Sequence, residues 1–316
     1  MAIAQVLLCI AASYAAAEPA PKETAPDKIG FYFSAMLAQR QKLLSGEFIA
    51  TGTKSVQDFK KSPSDYSGKV LISCVFDKDR IRFDNLEPGL VADPTPTNPV
   101  KMKPGRIERK FFRTPQQSVT WTQADGASNI VIAEPNATLG RFLFFDVRAL
   151  GLVTWQQLTG APAEKVEAIV AGLKKAPRTQ SVDTSDPKYV QLVFLRERGA
   201  RSDELRYWLS REQGFAPVRL ESRARTLGSP DESWLVNEHA EISWQQIDGV
   251  WLPVNFEMRR TDEIAEKKLA LKIRWRSVNK GSDDKFFDRA DFDAPDSVQL
   301  DDMLPRRPAV MRPAAR

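Results

Sequence analysis

Residues 268–278, KLALKIRWRSV, set Leu269, Leu271, Ile273 and Trp275 against Lys268, Lys272, Arg274 and Arg276. A period of two, apolar on one side and cationic on the other, marks a β-strand with one packed and one wet face. Three preceding stretches alternate in the same way: 216–225 (APVRLESRAR), 238–247 (EHAEISWQQI) and 250–258 (VWLPVNFEM). Asp248-Gly249 lies between the last two and is the strongest hairpin signal in the chain. Strands in this succession predict an antiparallel meander.

Further strands are predicted at 46–52, 69–76, 80–86, 107–113, 118–122, 188–196 and 204–210, with Asp77-Lys78-Asp79 turning the chain between the second and third. The proline-rich stretch 87–105 reads as an excursion out of the sheet. Two segments have helical spacing. Phe33, Met36, Leu37 and Leu44 open the domain, with Asp27 as cap and Gly46 as stop, and Val166, Ile169, Val170 and Leu173 form a stripe within 163–175. The predicted class is α+β, mainly β. Its architecture is a strongly curved antiparallel sheet of about ten strands, an incomplete β-barrel, with helices covering the concave face.

The chain opens MAIAQVLLCIAASYAAA, an apolar run ending in Ala15-Ala16-Ala17 ahead of Glu18. This is the layout of a cleaved signal peptide at 1–17, although its n-region has no Lys or Arg. Residues 18–28 read as a flexible leader, 29–303 as the folded domain and 304–316 as a basic disordered tail. Cleavage would leave 316 − 17 = 299 residues and one cysteine, Cys74, in the apolar VLISCVF. A buried small hydrophobe is expected there rather than a nucleophile.

The chain has 46 basic and 41 acidic residues, a formal charge of +5 that does not call for nucleic acid. Arg219, Arg223, Arg225, Lys272, Arg274 and Arg276 fall on the wet faces, and Arg306, Arg307, Arg312 and Arg316 on the tail. They read as a solvated exterior, with transient contact to an anionic membrane surface as the functional alternative. The expected state is a monomer.

No catalytic, cofactor or metal site is expected. His239 is the only histidine, and no G-x-S-x-G accompanies it, which makes a hydrolase the least favoured reading. One histidine and one mature cysteine exclude the usual zinc sets, and Asp283-Asp284 and Asp301-Asp302 lack the spacing of a calcium loop. There is no phosphate or dinucleotide loop. The aromatic and aliphatic set Ile242, Trp244, Leu252, Val254, Phe256, Leu271, Ile273 and Trp275 occupies the apolar faces of three neighbouring strands. It forms either a closed core or the lining of a lipid cavity.

An exported chain with an opening helix, the hairpin CVFDKDRIRFDN, a central helical insertion, then YWLSREQGFAPVRLE, ISWQQIDGVWLPVNFEM and LKIRWRSVNKGSDDKFFDRADFDAP resembles the bacterial periplasmic lipoprotein-carrier superfamily, the LolA/LolB-like fold. The ending with Val278-Asn279, Phe286-Phe287 and Ala294-Pro295 is similar to that of the family. The resemblance spans roughly residues 29–300 and rests on structural motifs. It implies an unclosed β-barrel with a helical lid, and an apolar cavity for acyl chains lined by the eight residues above. The function implied is that of a periplasmic, non-catalytic carrier or receptor for lipid or lipidated protein. An envelope-stress sensor or regulatory interaction domain using the same cavity is the alternative. The chain departs from the family in lacking a clear Arg-Pro followed by Phe-Arg on the early hairpin, where Arg80, Arg82 and Phe83 only approximate it, and in its greater length. No lid-locking arginine is assigned.

Overall fold

The structure, a computed structural model, describes residues 28–59, 65–78, 80–93, 101–124, 127–134, 147–152, 179–228, 233–287 and 299–302. The signal and tail segments, the leader up to Asp27, the helical stripe at 163–175 and Ala294-Pro295 lie outside the described residues. A first meander comprises β1 (Ser45–Asp58), β2 (Tyr66–Asp77), β3 (Arg80–Ala92), β4 (Met102–Arg113), β5 (Ser118–Ala124) and β6 (Ala127–Ala133). A second comprises β7 (Thr179–Asp183), β8 (Tyr189–Arg198), β9 (Arg201–Ser210), β10 (Ala216–Thr226), β11 (Leu235–Ile247), β12 (Val250–Thr261) and β13 (Ala265–Val278). Antiparallel pairing of β1 with β13 joins the two, and β14 (Gln299–Asp302) adds in parallel to β6. One sheet results, in the order β14-β6-β5-β4-β3-β2-β1-β13-β12-β11-β10-β9-β8-β7.

The fold is mainly β, as the alternation predicts, and the four decisive segments fall within β10, β11, β12 and β13. Asp248-Gly249 forms the two-residue loop between Ile247 and Val250, with φ of 49° and 76°. Two positive φ values in succession are the type I′ geometry whose twist matches that of the flanking strands.

The expected strong curl and strand number require correction. Among the described residues thirteen strands of the sheet are antiparallel rather than about ten, and the sheet is neither closed nor strongly curled. Closure requires the edge strands to meet, whereas β7 and β14 each end one side of an open sheet. The short strands β6, β7 and β14 were not predicted. Both described ends of the stretch 87–105 are strand rather than excursion, residues 87–92 in β3 and 102–105 in β4, with Pro88 opposite Arg106 and Leu90 opposite Pro104. The ladder from β2 to β3 ends at Leu86, and that from β4 to β5 starts at Ile107. Both prolines thus fall where one of the two ladders is not made, a place that a residue without an N–H tolerates.

Among the described residues one α-helix is present, α1 (Lys28–Gln41). It ends before the predicted stop, with the Leu43 amide bonded to the Arg40 carbonyl at 3.0 Å. Gly46 instead lies in β1, where a Cβ would come within 2.8 Å of Trp275 and 3.0 Å of Phe76. Tyr32, Phe33 and Met36 of α1 are fully buried against the sheet. Phe33 meets Phe194 and Tyr207, with ring centroids 5.5 and 6.1 Å away, and Tyr32 meets Phe215 at 5.1 Å. These contacts place α1 over β7 to β10, with Arg40 reaching Trp244 on β11.

Candidate functional site

The core face carries one continuous apolar cluster that runs through β1, β2, β3 and β8 to β13. Seven of the eight sequence-selected residues meet there. Ile242, Trp244, Leu252, Phe256, Leu271 and Ile273 are buried, and Trp275 packs half-buried against the cluster. Val254 does not join them. Ser243 pairs with Asn255 and Trp244 with Pro253, which leaves Val254 as the unpaired bulge residue, half-buried and outside the cluster. A bulge adds one residue to a strand and breaks the alternation on which the assignment rested.

The two tryptophans are anchored through their polar edges. Trp244 Nε1 donates to the Pro217 carbonyl at 2.9 Å, and the Arg40 guanidinium of α1 lies 4.1 Å from its ring centroid. Trp275 Nε1 donates to the Pro253 carbonyl at 3.0 Å, and its ring lies 5.2 Å from that of Phe48. Each indole combines a large apolar area with one satisfied donor.

Beyond α1 the register lines up apolar side chains across strands. Ile242, Phe256, Leu271, Gly52 and Val70 form one cross-strand row. Its four strand spacings of about 4.8 Å span roughly 19 Å. The adjacent row begins with Ile273, Ala50 and Ile72 and continues with Asn85, Arg109 and Thr122. Along this row the face therefore changes from apolar to polar between β2 and β3.

At the polar end Glu87 is held between two cations. Lys54 Nζ donates to it at 2.8 Å, and Arg109 donates to its other oxygen. The Glu87 side chain is 6% exposed. Burial, with the Glu87 charge beside it, raises the Tyr66 phenol above its ordinary value, and Arg109 partly offsets the rise. Several buried polar atoms here have no hydrogen-bond partner: Asn85 Oδ1, Arg109 Nε, Thr120 Oγ1 and Thr122 Oγ1. Each such group left unsatisfied costs about 1–3 kcal/mol. Sequence reading missed this cluster because Lys54, Tyr66 and Glu87 lie just past the predicted strand ends. The signal was present in 81–87, where Asn85 and Glu87 occupy the same phase as Ile81 and Phe83.

The opposite face carries a charge ladder. His239 Nδ1 lies 3.2 Å from Glu221 and Nε2 lies 3.1 Å from Glu241. Arg219 bonds Glu221, while Arg206 and Arg223 share one oxygen of Glu204. Burial pushes the Glu204 and Glu221 carboxyls up. Hydrogen bonds outweigh it and hold both below the ordinary glutamate value, from Arg223 and Arg206 for Glu204 and from Arg219 and His239 for Glu221. Arg276 pairs with Glu47 at 2.8 Å, and Arg225 stacks over Trp234 at 4.7 Å. Much of the predicted basic exterior is thus neutralised across the strands. An open groove of about 640 Å³ crosses the same face, lined in part by Thr53, Lys69, His239, Glu257, Arg259 and Lys268. His239 meets carboxylates there rather than Ser243. No group of three metal-ligating side chains is found among the described residues.

At the far end of the sheet the opposite face is also packed, by Phe112, Val119, Trp121, Ile130 and Ile132. Cys74 is buried, as expected.

No family model matches the chain, and no curated protein matches it. Among solved structures it is similar to a DUF1329 family protein from Desulfovibrio piger at 12% identity and a TM-score of 0.43, covering 84% of this chain and 99% of that one. It is also similar to a putative outer membrane lipoprotein-sorting protein domain from Vibrio parahaemolyticus at 9% identity and a TM-score of 0.41, covering 81% and 96% respectively.

Proposed function

We propose that the chain is an exported, non-catalytic protein of the bacterial envelope with a LolA/LolB-like sheet, here open, and that it binds acyl chains of a lipid or lipidated protein on its core face. The observation that supports this reading is the row from Ile242 to Val70, a continuous apolar strip extending beyond the strands that α1 contacts. Its length of roughly 19 Å exceeds half of a hydrocarbon core about 30 Å thick, so one acyl chain fits along it. Each methylene buried there contributes about 0.8 kcal/mol.

Protein purified without detergent should release acyl lipid under denaturing mass spectrometry, and Ile273→Trp should lower the yield. Absence of co-purifying lipid, together with a large fall in melting temperature for Ile273→Trp, overturns the reading in favour of a closed core. Stoichiometric retention of a signalling protein without lipid would instead identify a sensor. Export requires a mature N-terminus at Glu18 in the periplasmic fraction, and intact Met1 on the bulk of the protein overturns it.

A further inference from the structure

The polar end of the core face has a composition that an apolar core does not need. Asn85 is 4% and Thr120 2% exposed, yet an oxygen of each has no partner. Arg109 turns one nitrogen to Glu87 and leaves its Nε without an acceptor, and Thr122, opposite it on β5, has an unpartnered hydroxyl. The charges do not balance either. Glu87 supplies one carboxylate to two cations, Lys54 and Arg109. Among the described residues the cluster therefore presents hydrogen-bond donors and one more cation than carboxylate at the end of an apolar strip.

We propose that this cluster binds the anionic head group of an amphiphile whose chain lies along the strip. The inference rests on the acyl-binding reading and adds to it the charge and position of the head. The chemistry fits a carboxylate or a phosphate. Arg109 Nε and the hydroxyls of Thr120 and Thr122 donate to the anion, and Lys54 with Arg109 supplies the excess charge. Glu87 holds both cations in place. Asn85 contributes its amide, which presents either its nitrogen or its oxygen by a flip about the terminal bond. The row Ile273, Ala50, Ile72, Asn85, Arg109 and Thr122 puts chain and head in one line, so a single ligand reaches both.

The test uses the delipidated full chain and isothermal titration with oleate, oleyl phosphate, oleyl alcohol and inorganic phosphate. Oleate and oleyl phosphate are expected to bind at least tenfold more tightly than the alcohol, a hydrogen bond to a charged group being stronger than one between neutral groups. Arg109→Gln should remove most of that preference, weakening oleate and oleyl phosphate far more than the alcohol. Thr122→Val, which swaps a hydroxyl for a methyl of similar volume, should reduce the preference several-fold and serves if Arg109→Gln does not fold. Equal binding of oleate and alcohol overturns the head-group proposal, assigns the orphan atoms to water and leaves the acyl-binding reading standing. Failure of all three oleyl ligands to bind overturns both. Binding of inorganic phosphate as tight as that of oleyl phosphate overturns the amphiphile and indicates a free-anion site.

Discussion

Ile72 on β2 and Asn85 on β3 face one another in register, and between them their row of the core face turns from apolar to polar. Asn85 is 4% exposed, and its Oδ1 has no partner. Replacing it with Leu, of similar shape, removes that orphan oxygen from the interior. Asn85→Leu should raise the stability of the delipidated protein by about 1 kcal/mol, measured as a shift in urea midpoint. A loss of stability would show that the amide is satisfied.

Asn279 ties the end of β13 to the end of α1. Its side-chain oxygen accepts from the Leu44 amide at 2.8 Å and the Ser45 amide at 3.3 Å, and its Nδ2 donates to the Lys42 carbonyl at 2.7 Å. The backbone there has φ 53°, a left-handed conformation that Asn tolerates better than most side chains. Asn279→Gly keeps the conformation and loses the bonds, whereas Asn279→Ala loses both. The expected costs are about 1–2 and 2–3 kcal/mol, read from thermal or urea unfolding. Equal costs would show that the backbone conformation contributes nothing.

Glu204 and Glu221 make the ladder acid-sensitive. Burial raises both carboxyls, but hydrogen bonds from Arg223 and Arg206, and from Arg219 and His239, hold them below the ordinary value of 4.5. A carboxyl depressed by folding adds stability above its unfolded pKa, and that contribution is lost as the pH falls through the folded value. Glu204→Gln should therefore be less stable than the parent at about pH 7, with the gap narrowing toward about pH 3. Urea midpoints at the two pH values check this, and a gap that stays constant with pH would refute it.

Cys74 is 1% exposed in the main core cluster. A bulky thiol reagent should label it no faster than the protein unfolds. Labelling should accelerate in parallel with unfolding as urea is added, whereas fast labelling of the native protein would contradict the burial.

The four alternating segments were legible because their packed and wet faces differ at nearly every position, as Leu269, Leu271 and Ile273 against Lys268, Lys272 and Arg274 show. Alternation locates a strand only while the alternation lasts. It failed at Val254, where a bulge interrupts it, and at Pro88 and Pro104, which sit on strand segments bonded to only one neighbour. Seven of the eight residues selected for the apolar face were readable from composition and phase. The polar cluster was not, because Lys54, Glu87, Arg109 and Thr122 come together through register between strands. Register depends on turn lengths and pairing that a single strand's pattern does not encode.

The seam between β1 and β13 has a consequence for the order in which the protein can form. The pair joins residues more than two hundred positions apart, from Gly46 opposite Val278 to Asp58 opposite Ala265. Until β13 has been synthesised, β1 presents a bare row of backbone donors and acceptors with Phe48 and Ala50 uncovered on its packed face. Contacts of such separation form slowly, and an unpaired edge invites pairing with other chains. The newly made chain is thus most vulnerable to aggregation for nearly the whole of its synthesis. An escort that masks the β1 edge would protect it longest.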